Sequence, residues 1–398
     1  MRRVVVVGAS LAGLRSVEAL RRKKFDGHVV LIGDEPHLPY DRPPLSKEIL
    51  RGEWEPERLA LRKRGFEDLD CELRMGERAV RLSVDAHEIE LATGERLSYD
   101  GLVIATGATA RRLPNQPDLE GIFELRTVDD ALALRAALRP NARVCVIGAG
   151  FIGAEVAASA VSLGYPVTMV EGLMQPMVRG LGERIGAVMA EIHRQKGVDL
   201  RLGVNVRAIE GEGRVERVLL SDGSTVACDV VVVGIGVRPA TAWLEGSGLV
   251  LDDGVVCDAT CLAAPGVVAV GDVSRWYNPL FEETMRVEHW THAVEQARHA
   301  IDTLLAPEGE AKPFESAPIF WTDQFGIKIQ GAGRPANDDL LHVCHGSLEE
   351  RRFVALFGRN DRIVGVVTFD NPARLFQYRK LIAERASWGA ALGVAQAD

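Results

Sequence analysis

No C-x-x-C pair occurs in the 398 residues, and the six cysteines, at 71, 145, 228, 257, 261 and 344, are scattered. That spacing suits neither a zinc ribbon nor a cluster cage, so no metal centre is expected. Only Cys257 and Cys261 lie close together, and in an apolar setting they read as two buried thiols. No apolar run reaches the roughly 18 residues that span a bilayer, which removes a membrane span. The formal charge of −9 argues against a nucleic-acid partner held through its phosphates. Met1-Arg2-Arg3 ahead of four valines has the outline of a signal peptide, but Gly8 and Gly13 interrupt the run and Arg15 follows. A phosphate loop explains the stretch better, and a cytoplasmic protein is expected.

What is present begins with that loop. "VVVVGASLAG" at 4 to 13 returns as "VCVIGAGFIG" at 144 to 153, with Gly8, Ser10 and Gly13 answering to Gly148, Gly150 and Gly153. Each copy opens a strand, loop, helix and strand unit, an internal repeat. Helices are predicted over 11 to 22 and 152 to 163, leading to "HVVLIGDE" at 28 to 35 and "PVTMVEG" at 166 to 172. Each unit closes on another apolar strand, "YDGLVIATGA" at 99 to 108 and "CDVVVVGIGVRP" at 228 to 239. Continuous β-branched strands of this kind belong to parallel sheets covered on both faces. "PGVVAVGDVSRW" at 265 to 276 and a helix from about Thr291 to Leu304 are expected to complete the first sheet. Beyond a Pro-rich stretch at 306 to 318 come short alternating strands ("IKIQGAG", "RFVALFG", "IVGVVTF") and a basic terminal helix. The expected architecture is α/β, with two Rossmann-like dinucleotide-binding domains and a C-terminal α+β domain. The expected boundaries are 1–109 with 237–310, then 110–236, then 311–398.

In such a loop the first glycine makes the tight turn, the second admits a pyrophosphate and the third lets helix pack on strand. Ser10 adds only a small side chain, so the first loop reads as adjusted, not broken. Glu171 stands 23 residues after Gly148 at a strand end, placed to accept from ribose hydroxyls and to repel a 2′-phosphate. No arginine follows until Arg179, which favours NADH over NADPH. Asp34 and Glu35 offer the same grip after Gly8. Two nicotinamides side by side make little chemistry; a flavin facing a nicotinamide makes a hydride path.

Taken in order, "GASLAG", "PYDRPPLSKEIL" at 39 to 50, "ATG" at 105 to 107, "GAGFIGAEVA" at 148 to 157, "VGDV" at 270 to 273 and "FWTDQFG" at 320 to 326 carry a resemblance. Over the whole chain the sequence resembles the bacterial ferredoxin reductases, FAD enzymes of the glutathione-reductase-like superfamily that serve cytochrome monooxygenases and Rieske-type oxygenases. The resemblance implies FAD on the first unit, NADH on the second, and a third domain that shields the flavin and helps to dock a [2Fe-2S] ferredoxin. Related disulfide reductases carry a C-x-x-x-x-C pair near Leu45-Ser46-Lys47. This chain has no cysteine before residue 71, so electrons are expected to leave the flavin directly.

The resemblance also implies site residues. Lys47, after two prolines, lies at the flavin in such proteins; as a plain residue it reads as a solvated lysine. Glu155 reads in its own right as a helix-start carboxylate, and by resemblance as the partner of the nicotinamide carboxamide. A Lys47–Glu155 ion pair would then neutralise both charges before the nicotinamide arrives. Asp272 corresponds to a ribityl contact, and Trp290 to a helix start whose amide faces the flavin pyrimidine. Trp321 corresponds to an aromatic near the flavin; Ala12 and Arg126 match flavin-contacting positions. Leu11, Arg42, Val80, Ala105, Thr106, Gly107, Gly271, Glu288, His289 and Ala293 complete the FAD set. Phe151, Ile152, Gly234, Ile235 and Gly236 complete the NAD set. Arg374, Arg379 and Lys380, in "ARLFQYRKLI", form a candidate docking flank for an acidic ferredoxin. The rival readings are an NADH:rubredoxin-type reductase and a binding protein of the apoptosis-inducing-factor type. No oligomeric state is implied.

Overall fold

Val4, Val5, Val6 and Val7 are β-branched and carry no polar side-chain atom, so they suit a strand with apolar cover on both sides. In the computed structural model, which describes residues 1–397, none of the four is more than 3% exposed. Their strand, Arg3–Val7, lies inside a six-stranded sheet ordered Leu262–Ala264, Val267–Ala269, Gly101–Ile104, Arg3–Val7, His28–Gly33, Cys71–Met75. The pairings are parallel except at the Leu262–Ala264 edge. The helix Leu11–Arg22 buries Ala12, Leu14, Ser16, Val17, Ala19 and Leu20, and packs against the helix Trp290–Leu305. These elements belong to one of two units, made of Met1–Asp41, Leu59–Thr109 and Arg238–Ile319.

The other unit gathers Arg42–Arg58, Ala110–Val237 and the chain from Phe320 onward. Its parallel sheet runs Asp199–Leu202, Val167–Glu171, Val144–Ile147, Val230–Val233, Ile122–Phe123. The helix Phe151–Ser162 is buried from Gly153 to Ala160. A second sheet, antiparallel where its strands Ile327–Gly333, Arg362–Phe369, Arg352–Arg359 and Leu340–Ser347 pair, also includes Ile319–Gln324.

Two expectations for this C-terminal stretch are corrected. Two of the three strands expected to alternate are buried almost throughout, Phe353 to Gly358 and Ile363 to Phe369 without a break, and the helix Leu375–Ala383 packs across the Ile327–Gly333 and Arg362–Phe369 strands. The single terminal helix is two, Leu375–Ala383 and Trp388–Ala397, separated where Arg385 takes a positive φ of 55°.

All six thiols are free. Burial pushes Cys71 and Cys257 up to about 12 and raises Cys261 as well, so these thiols stay protonated and unreactive. Among the described residues no helix is long and apolar enough to cross a membrane.

One buried base couples this core to pH. His292 is fully buried and stacks on Trp276 with ring centroids 4.6 Å apart; burial pushes its pKa down to about 3, with His289 adding to the shift. The unfolded chain, with an ordinary histidine pKa near 6.5, binds a proton that the folded chain refuses between those values. Stability is therefore full above about pH 6.5 and declines as pH falls toward 3. At pH 5 the loss from this group is on the order of 2 kcal/mol. Thermal unfolding from pH 7 to pH 5 should show the wild-type midpoint falling more steeply than that of His292→Phe, which keeps the ring stack. Parallel slopes would remove His292 from the account.

Candidate functional site

The two glycine loops have one geometry. Gly8 N donates to Ile32 O and Gly148 N to Val170 O, both at 2.8 Å, which ties each loop to the neighbouring strand. Ser10 and Gly150 both take extended backbone at the N-cap, with φ of −113° and −73°. Leu14 N then donates to Ser10 O and Ala154 N to Gly150 O, at 2.9 Å, closing the first helical turns. The serine therefore leaves the loop backbone in the same form as its glycine counterpart.

Close approach explains the other glycines. A Cβ on Gly8, at φ +114°, would lie 2.1 Å from Ala105 O, and one on Gly148, at φ +97°, 2.4 Å from Gly234 O. On Gly13 it would meet Gly8 O at 1.9 Å, and on Gly153, Gly148 O at 2.0 Å. Gly150 differs: a Cβ there meets nothing within 4 Å. Its surroundings form the kind of open cradle that a pyrophosphate backbone would fill, beside helix-start amides with no intrahelical partner.

In the first unit Ala105 lies against Gly8 of the loop, and the residues after it are tied to a distant segment. Ala105 N donates to Val7 O at 2.7 Å, Thr106 Oγ1 to Ala240 O at 3.0 Å, and Gly107 O accepts from Ala240 N at 2.9 Å. Gly271, at φ +72°, comes so close that an added Cβ would lie 3.2 Å from the Ala12 Cβ and 3.6 Å from the Ala293 Cβ. Three small residues from distant segments thus share one surface, with Asp272 in the same short turn, Gly271–Val273. The helix begins at Trp290 with His289 as its N-cap, and Trp290 Nε1 donates to Asp41 Oδ1 at 2.7 Å. Glu288 accepts from Arg286 Nη1 at 2.6 Å. Asp34 is exposed, 4.0 Å from Arg78 Nη2, and Glu35 accepts from the Tyr40 hydroxyl. Val80 stands 40% exposed on the strand Ala79–Ser83, in a separate three-stranded sheet.

Four residues expected with the flavin, Arg42, Lys47, Arg126 and Trp321, lie in the second unit. Arg42 Nη1 donates to Arg126 O at 2.6 Å. The centre of that unit is Glu155, 4% exposed. Lys47 Nζ, also buried, lies 2.8 Å from its Oε2, so the ion pair expected from sequence forms; the Ser46 hydroxyl donates to the same oxygen. Thr322 Oγ1 donates to Oε1 at 2.7 Å. The helix-start reading of Glu155 does not hold, since the helix begins at Phe151 and has no acidic residue in its first turn. The dipole's influence is confined to that turn.

Glu171 clamps the second loop to its strand: Oε2 accepts from Ala149 N at 2.8 Å and Oε1 from Leu173 N at 2.9 Å. Gly234 N donates to Ile147 O at 2.7 Å, and Gly236 takes a φ of +98° beyond Ile235. The Phe151 ring meets Phe320 at 5.1 Å, while Ile152 is 46% exposed. Sequence reasoning singled out Trp321 from "FWTDQFG" and passed over Thr322 and Gln324. The available signal was the period of two, which puts polar residues 322 and 324 on one side of a strand.

Two parallel sheets, each feeding a glycine loop into a helix and each with acidic residues at the next strand end, define a protein built to hold two dinucleotides. The chain belongs to the pyridine nucleotide-disulphide oxidoreductase family, which matches residues 2–297, and a reductase C-terminal domain matches residues 319–397. The ferredoxin–NAD(+) reductase component of the p-cumate 2,3-dioxygenase system of Pseudomonas putida is 36% identical over 97% of this chain and 94% of its own length. Rhodocoxin reductase of Rhodococcus erythropolis is 36% identical over 96% and 89%. The reductase in the solved covalent complex of putidaredoxin reductase with putidaredoxin superposes with a TM-score of 0.92 at 32% identity, covering 96% of this chain and 93% of that one.

The glycine geometry separates crowded from open positions. Gly153→Ala should lower the thermal stability of the ligand-free protein by an amount typical of overpacking, about 1–3 kcal/mol. Gly150→Ala should leave that stability within about 0.5 kcal/mol of wild type. Equal losses in differential scanning calorimetry would contradict the assignment.

Proposed function

We propose that this chain is an NADH-dependent, FAD-containing ferredoxin reductase of an oxygenase system, working in the cytoplasm. The observation that carries the reading is the repeated loop. One chain holds two dinucleotide cradles, and its relatives over nearly the whole length are reductases that serve ferredoxins.

FAD, when bound, supplies acceptance of a hydride from NADH and release of single electrons to a [2Fe-2S] ferredoxin. The chain's own residues bind and orient. In this reading the loop from Gly8 to Gly13 and the small surface of Ala12, Gly271 and Ala293 admit the FAD pyrophosphate. Asp34 and Glu35 take its adenosine, and Asp272 the ribityl chain. The loop from Gly148 to Gly153 takes the NADH pyrophosphate, and Glu171 the adenine ribose. Glu155 receives the nicotinamide carboxamide, while Lys47 balances its charge. No side chain need transfer a proton in the hydride step; position and electrostatics are what the protein provides. No cysteine lies between residues 1 and 70, Cys71 is half-buried and the other five are buried, so no cysteine relay is invoked.

The ferredoxin is assigned to the C-terminal segment. Phe376 is 64% exposed on the helix Leu375–Ala383, and Lys380 on the same helix is exposed, 3.7 Å from Glu384. Arg374 stands on the short turn ahead of the helix, not on its flank.

The purified protein should be yellow with one FAD per chain and should reduce an acidic ferredoxin with NADH in preference to NADPH. Glu171→Ala should narrow the NADH to NADPH ratio of kcat/KM by about tenfold, some 1.4 kcal/mol. Equal use of both nucleotides by the wild type would reject the role of Glu171; a folded protein that refuses FAD would reject the whole reading. Arg379→Glu with Lys380→Glu should raise the KM for ferredoxin several-fold and leave ferricyanide reduction near wild type. An equal change with both acceptors, or none, would remove this patch.

A further inference from the structure

Beyond Glu155 the hydrogen bonding continues. Thr322 Oγ1 accepts from Gln324 Nε2 at 3.0 Å, and Gln324 Oε1 lies 2.8 Å from His193 Nε2. All of these groups are buried: Thr322 and His193 fully, Gln324 to 1% exposure. Direction follows from the donor inventory. An ionised carboxylate only accepts, so the single hydroxyl proton of Thr322 must point to Glu155 Oε1. The Thr322 oxygen is then an acceptor, which turns the NH2 group of Gln324 toward it. The second amide proton of Gln324 faces Met177 Sδ, 3.4 Å away. Gln324 Oε1 is left to accept, and His193 Nε2 must carry the proton. His193 Nδ1 is buried with no hydrogen-bond partner among the described residues, consistent with the neutral Nε2–H form, and burial lowers the pKa of the ring.

We infer that His193, Gln324 and Thr322 form a one-way relay of donors ending on Glu155 Oε1. The C-terminal strand Ile319–Gln324 thereby sets the position of the carboxylate that receives the nicotinamide. This rests on the role given to Glu155 above. Lys47 and Ser46 hold one oxygen and the relay holds the other, so the carboxylate plane is fixed at both ends. Thr322 is a positioning residue. A buried chain of this kind is cooperative, each bond polarising the next, and loosening any member frees the rotation of the carboxylate.

The experiment uses the FAD-loaded enzyme and titration calorimetry with two probes, NAD+ and ADP-ribose. Both probes share the adenosine and pyrophosphate contacts, and only NAD+ has the nicotinamide. Thr322→Val removes the hydroxyl and keeps the shape. It should leave ADP-ribose affinity unchanged, which also shows that the unit is folded, and cut the preference for NAD+ over ADP-ribose by about tenfold, the worth of a hydrogen bond to a charged group. Thr322→Ser, which keeps the hydroxyl, should restore the preference. Nitrogen-detected NMR of the imidazoles should find His193 as the neutral Nε2–H tautomer. An unchanged preference in Thr322→Val, or a proton on His193 Nδ1, overturns the relay. Glu155→Gln separates the two claims. If it loses the preference while Thr322→Val keeps it, the relay fails alone; if neither loses it, the role of Glu155 fails and takes the relay with it.

Discussion

A buried carboxylate is the constraint on which the second unit depends. At 4% exposure Glu155 has lost nearly all of its water, and an ion in that position is destabilising by several kcal/mol unless charge and hydrogen bonds replace the hydration. The replacement comes from segments far apart in sequence. Ser46 and Lys47 come from the excursion Arg42–Arg58, and Thr322 from the strand Ile319–Gln324. The same excursion is pinned a second time, since Ser159 Oγ donates to Ser46 O at 2.7 Å and Arg51 reaches the Ser159 hydroxyl. This accounts for residues 42–58 grouping with the second unit although the chain on either side of them belongs to the first.

The glycine loops obey a constraint of another kind. At Gly8, Gly13, Gly148 and Gly153 the backbone itself occupies the place of a side chain, so the residue type is settled by sterics within a few ångströms. Local sterics of that sort are written in local sequence. The two loops, their helices and the parallel strands beside them were therefore legible from the chain alone, and so was the serine that leaves its loop unbroken. The Lys47–Glu155 pair was legible by a different route, since a family resemblance carried both residues.

The remainder was hidden because its cause is not local. Nothing near His193 announces that its partner is Gln324, 131 residues away. Nothing in the strand Arg362–Phe369 says that the helix Leu375–Ala383 will cover it; a continuous apolar run tells that both faces are buried, not by what. Glu155 misled in a simpler way. Its position after a glycine loop suggested the first turn, but the helix had already begun four residues earlier at Phe151, which turns the side chain inward. A shift of one turn separates a surface carboxylate serving the dipole from a buried one that must be neutralised.

The number of donors at Glu155 bears on what else it can hold. An ionised carboxylate offers about four acceptor positions. Three are taken, by Ser46 and Lys47 on one oxygen and by Thr322 on the other. About one remains, on the oxygen that the relay steadies, enough for a single N–H of an incoming amide. A neutral glutamine at this position would present one carbonyl oxygen in place of two and an NH2 group that collides with its donors. It would also leave the Lys47 charge buried without a partner. Charge balance and donor count thus lead to the same requirement, and a carboxylate at residue 155 meets both.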